Sequence, residues 1–102
     1  MKNNHHNINI SSVQKALKES RESIGKQTKP HHYVNEVNLI RYAMIGENKT
    51  PLDLKNLSRV QMPVLRKVIC LNRILILSHV DNKLRKQDCR ELVRKHEQKS
   101  HT

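Results

Sequence analysis

The segment from Pro63 to Leu77 constrains the fold of this chain more than any other. Read as a helix, it places Val64, Leu65, Val68, Ile69, Leu71, Leu75 and Ile76 over more than half of its circumference, and Ile74 and Leu77 extend the apolar surface near its end. One neighbour cannot cover a helix that is apolar over so much of its surface, so several elements must surround it. Those elements are themselves expected to be helices. The chain has no Phe or Trp, and Tyr33 and Tyr42 are its only aromatics, so the core must be built from Leu, Ile, Val and Met. That composition favours packed helices over a sheet. With 102 residues the chain forms one domain at most, with a small core. The expectation is an all-α fold: a small helical domain of three to five helices with a flexible N-terminal tail.

Residues Met1 to Ile10 are rich in Asn and His and are read as that tail, because so few apolar groups cannot offset the entropy of ordering. A first amphipathic helix is expected from Ser11 or Ser12, with Val13, Ala16, Leu17, Ser20 and Ile24 on one face and Gly25 closing it. It is marginal alone, so it either docks or orders on a partner. Lys26 to Pro30 with His31 and His32 reads as a linker. Residues 1–34 thus form a tail, helix and linker ahead of a core domain at 35–96, with 97–102 fraying. Inside the core, Asn35 can cap a helix running to Ile45, Glu36 suits its positive end, and Gly46 can close its last turn. Thr50, Pro51 and Asp53 read as the start of a short helix. Ser58 to Gln61 read as a capping box placing a helix at Arg59, although Pro63 argues for a start at Pro63 itself. Asn72 falls on the apolar side of this helix and must find a partner, a loop backbone or an opposing helix. Asp81 can cap a last helix reaching about His96, with Leu84 or Arg85, Cys89, Leu92, Val93 and His96 on its inner face.

One pattern spans Asn35 to Lys86: Asn35-Glu36-Val37-Asn38-Leu39-Ile40, Gly46-Glu47, Leu57-Ser58, Leu71-Asn72 with Leu75-Ile76, Val80-Asp81 and Arg85-Lys86. This order of motifs resembles the helical segment toward the C-terminus of phage antirepressor and KilA-type regulatory proteins, and it covers roughly half of the chain. The resemblance implies a phage, prophage or phage-satellite regulator acting in the cytoplasm of a bacterial host. In such proteins the part that reads DNA or performs catalysis generally lies elsewhere.

Twenty Lys and Arg against nine Asp and Glu give a formal charge of +11, which implies attraction to an anionic partner, nucleic acid being the usual one. The same excess also keeps a small protein soluble. Arg66, Lys67 and Arg73 on the third long helix and Lys83, Lys86, Arg90, Arg94 and Lys95 on the last are the candidate phosphate contacts. Val13, Leu17, Ile24, Val64, Leu71 and Leu75 are the candidate partner-binding residues, because so wide an apolar face suggests contact with another protein or a second copy.

Other chemistry finds little support in the sequence. Cys70, His79, Cys89 and His96 are spaced too widely for the close ligand pairs of usual zinc motifs, and two core thiols explain the cysteines as well. His5 and His6 have no third ligand near them. Two glycines cannot build a phosphate-cradling loop, and the few carboxylates are scattered. No enzyme, cofactor, metal or membrane span is expected. The leading expectation is a non-enzymatic adaptor that binds a DNA-acting phage protein, such as a repressor or small terminase subunit, and redirects or blocks it, with basic surface touching DNA. The alternative is an independent, dimeric DNA-binding regulator.

Overall fold

The computed structural model describes residues 10–46 and 59–100, which form four α-helices and no strand. In chain order they are α1 (Ile10–Ser23), α2 (Pro30–Ile45), α3 (Gln61–Leu77) and α4 (Asn82–Ser100). The all-α expectation holds for these residues. The Thr50–Asp53 helix start, the Ser58 cap, the His5–His6 pair and all of the expected tail but Ile10 lie outside them.

The apolar face of α3 is central. Val64, Leu65, Val68, Ile69 and Ile76 are buried against Val13, Ala16 and Leu17 of α1, Leu39, Ile40, Ala43 and Met44 of α2, and Cys89 and Val93 of α4. Packing proceeds by pairs: α1 lies mainly on α3 and α2 mainly on α4, while the turn after α3 brings α4 back along it. The first helix is therefore docked through a face whose central residue, Val13, is fully buried.

Several expected boundaries move. The helix expected to start at Asn35 starts at Pro30, so the linker shortens and Asn35 is an interior position rather than a cap. Proline is preorganised for the first helical turn, where its missing N–H costs nothing. Lys29 is extended ahead of it, and its backbone N–H donates to Nδ1 of His32 at 2.9 Å, the reciprocal half of a capping box made with a histidine. Arg59 and Val60 form a turn, and α3 begins at Gln61, so Pro63 sits among the first helical residues whose N–H groups have no intrahelical acceptor. At the other end α4 runs on to Ser100 instead of fraying from Glu97. Its start is as expected, since Asp81 Oδ1 accepts the Leu84 N–H at 2.9 Å.

The α3–α4 turn is a Schellman motif. Val80 N–H donates to Leu75 O and His79 N–H to Ile76 O, both at 3.0 Å, with His79 at φ 61° in the position that glycine usually takes. Ser20 of α1 holds this turn. Its hydroxyl donates to Ile76 O at 3.0 Å and lies 3.0 Å from His79 Nδ1. Because the hydroxyl has one proton, the second contact requires His79 Nδ1–H to donate to Ser20.

Candidate functional site

The last helix is two-sided, and its sequence register decides which arginine does what. Arg85, Cys89, Leu92, Val93 and His96 fall on the inner side at helical spacing. Of the two inner candidates at its start, Arg85 is buried while Leu84 is half exposed. Arg85 closes a polar joint between three helices: its NH1 and NH2 donate to Glu36 Oε1 and Oε2 at 2.6 and 2.8 Å, and NH1 also donates to Asn72 Oδ1 at 2.9 Å. Asn72 Nδ2 donates to Glu36 Oε1 at 3.0 Å, and Arg85 Nε donates to Val80 O at 3.0 Å. Asn72 thus finds its partners on opposing helices. The forked guanidinium matches both carboxylate oxygens, which offsets the cost of taking two charges out of water. Sequence reasoning missed this pairing. The available signal was an arginine in register with Cys89 and Leu92, on a chain that also places Asn72 on an apolar face.

The outer side of α4 carries the charge. Lys83, Lys86, Arg90 and Arg94 recur at i, i+3, i+7 and i+11, so they share one side over roughly 16 Å of helix. That side borders α2. Lys86 Nζ stands 4.4 Å from the centroid of the Tyr42 ring, a cation–π contact. Arg90 NH1 donates to Ala43 O at 3.0 Å, placing a cation at the negative end of α2. Gly46 makes room for it: the residue lies at φ 88°, and a Cβ there would come 2.9 Å from Arg90 NH2. Arg90 is thereby half-buried and engaged in the fold, so it is a poorer phosphate contact than its spacing suggests. Lys83, Lys86 and Arg94 are exposed. Besides the Lys86–Tyr42 contact, among the described residues only a loose pair, Arg94 with Glu91 at 3.9 Å, competes for their charge, and such exposed pairs are weak. Lys95 is also exposed but lies on the opposite side of the helix from Lys86.

On α3, Arg66, Lys67 and Arg73 are exposed. They lie roughly 100–140° around the helix from Asn72, which faces α2, so they form a second basic surface separate from the α4 stripe. The eight candidate cations therefore do not make one patch.

The apolar candidates also divide. Val13, Leu17 and Val64 are in the core, covered by the protein's own helices and out of a partner's reach. Leu71 and Leu75 are partly buried, and Ile24 is 56 % exposed. Among the described residues, the other large apolar side chains left outside are Val34, Val60, Ile74, Leu77 and Leu84, of which Ile74 and Leu77 are neighbours on α3.

The two thiols differ as well. Cys70 is exposed, against the expectation of two core thiols, because it falls on the outer line of α3 between Arg66 and Arg73. Cys89 is buried, and burial pushes its thiol up to about 12, which leaves almost no reactive thiolate near neutral pH. Near the start of α2, partial desolvation lowers the pKa of His32, aided by the charges of Arg21, His31 and Lys29. Among the described residues, no three His, Cys, Asp or Glu side chains gather as metal ligands, and no helix is long and apolar enough to cross a membrane. Compared with protein-family models, curated proteins and solved structures, the chain finds no match.

Proposed function

We propose that this chain is the helical module of a phage, prophage or phage-satellite regulator: a non-enzymatic adaptor that holds a DNA-acting partner protein and lays a basic edge against the nucleic-acid backbone. It works in the host cytoplasm. The observation that carries the reading is the α4 stripe, where Lys83, Lys86 and Arg94 stand exposed on one side of a helix that the buried Arg85 joint fixes in place. Cations on a rigid helix can meet successive phosphates, and phosphate contact carries affinity without reading sequence. Sequence choice then comes from the partner.

The test is fluorescence anisotropy with a mixed-sequence DNA duplex across a salt series. Replacing Lys83, Lys86 and Arg94 together with Ala, which leaves Arg90 on its α2 carbonyl, is expected to flatten the slope of log K against log salt by roughly 2 to 3, about 0.9 for each phosphate that is no longer neutralised. An unchanged slope would remove the stripe from the reading. Strong preference for one duplex sequence would favour a self-sufficient DNA-binding regulator instead.

A further inference from the structure

We infer that the outer line of α3, with the groove beside α1, docks an acidic amphipathic helix of another protein. This inference rests on the adaptor reading and names the chemistry of its partner. Ile74 and Leu77, one turn apart, are 61 % and 44 % exposed. Leu77 also lines a groove of about 400 Å3 between α1 and α3, together with Lys15, Ala16, Glu19 and Arg73. Arg66, Lys67 and Arg73 flank the apolar pair on α3. No ion pair engages Lys15, Lys67 or Arg73 among the described residues. The surface is thus an aliphatic pair with a cationic margin, and among the described residues that line the groove Glu19 is the lone acid.

Three occupants compete for such a surface, and the charge pattern separates them. A nucleic-acid backbone would satisfy the margin but leave the aliphatic centre uncovered. A second copy, docked about a two-fold axis, would bring the same cationic margin against itself, and like charges across an interface are costly. An amphipathic helix with apolar residues at i, i+3 or i+4, and i+7 covers an exposed Ile–Leu pair, and acidic residues beside that stripe meet the margin.

The experiment selects binders to the full chain from a displayed library of random helical peptides. Enriched sequences are expected to combine a Leu, Met or Phe stripe with Asp and Glu beside it. The best peptide, synthesised with a fluorophore, should lose roughly tenfold or more in affinity to a chain carrying Ile74→Asp and Leu77→Asp, as expected when two apolar anchors lose their burial. It should weaken similarly with Arg73→Glu, a change of charge at an exposed site that spares the apolar pair. The Lys83, Lys86 and Arg94 to Ala variant should bind it unchanged. Failure to enrich acidic amphipathic peptides, or binders indifferent to Ile74, Leu77 and Arg73, overturns the inference. So does a dimer in sedimentation that Leu77→Asp dissolves, because it puts a second copy on this face. Duplex binding on the same proteins separates the two failures: if the salt-dependent binding survives, the basic edge stands without this dock, and if both are lost the adaptor reading falls with it.

Discussion

The contact of α1 with α3 and the joint of α2 with α3 and α4 hold the same small core by different means. Val13, Ala16 and Leu17 of α1 bring only apolar groups to α3, and burial of that kind is non-directional and scales with area. At the joint, Glu36, Asn72 and Arg85 meet through hydrogen bonds of 2.6 to 3.0 Å, each needing a particular geometry. The first contact attaches a helix. The second fixes how three helices are placed, and so fixes where the outer cations of α4 stand. On one helix, Arg85 and Arg90 are five residues apart; the first is committed to the interior and the second to the end of α2. The cations around them, Lys83, Lys86 and Arg94, stay exposed.

The largest loss of stability is expected from Glu36→Ala. It leaves Arg85 buried with no counter-charge and is expected to cost about 3–5 kcal/mol, a large fraction of the stability of a small domain, read from urea unfolding followed by circular dichroism. A loss below about 1 kcal/mol, small against that range, would mean the joint is not what places these helices. Replacing all three members by apolar residues of similar size sharpens the point, because exchanging a whole buried network is often neutral or stabilising by about 1–4 kcal/mol. A triple variant that keeps its stability but packs α4 in a changed register would show that the joint specifies position rather than supplying stability. On the α1 side, Leu17→Ala is expected to cost about 2–3 kcal/mol, the low end for leucine because the site is at the margin of the core, and Leu17→Met less than about 1.5 kcal/mol. An apolar contact tolerates a change of shape that a forked salt bridge does not.

Legibility in the sequence followed the same division. Periodicity shows the core side of α3 and the inner side of α4, because an aliphatic stripe needs no knowledge of its neighbour. The pairing of Glu36 with Arg85 spans 49 positions, and no local rule connects a carboxylate in one helix to an arginine in another; Glu36 reads locally as a partner for the helix dipole. The start of α2 was hidden for another reason. Pro30 with two histidines reads as a linker, yet the proline is in the first helical turn, where its missing N–H costs nothing, and the His32 ring accepts the Lys29 N–H as a Glu or Gln in a capping box usually would. The basic candidates were legible as types but not as surfaces. Sequence places Arg73 and Lys86 in one charged class, while the fold turns one toward the α1 groove and seats the other over Tyr42.

The smallest effect lies where the two regions meet, at the turn that Ser20 of α1 holds against the end of α3. His79 there occupies the left-handed region at φ 61°, which costs an L-residue about 1–2 kcal/mol. Its ring bond to Ser20 returns about 0.5–1.5 kcal/mol. Ser20→Ala should therefore cost about 1–2 kcal/mol, since it removes the bond to His79 and the one to Ile76 O. His79→Gly should be close to neutral alone, the relief of strain offsetting the missing bond. Made on the Ser20→Ala background, the same glycine change should stabilise by about 1 kcal/mol, because the bond is already gone and only the strain remains to be relieved. This change of response between the two backgrounds is a double-mutant cycle, measurable by thermal unfolding of the four proteins. If glycine acts equally on both backgrounds, Ser20 and His79 are not coupled, and Ser20 holds the turn through Ile76 O alone.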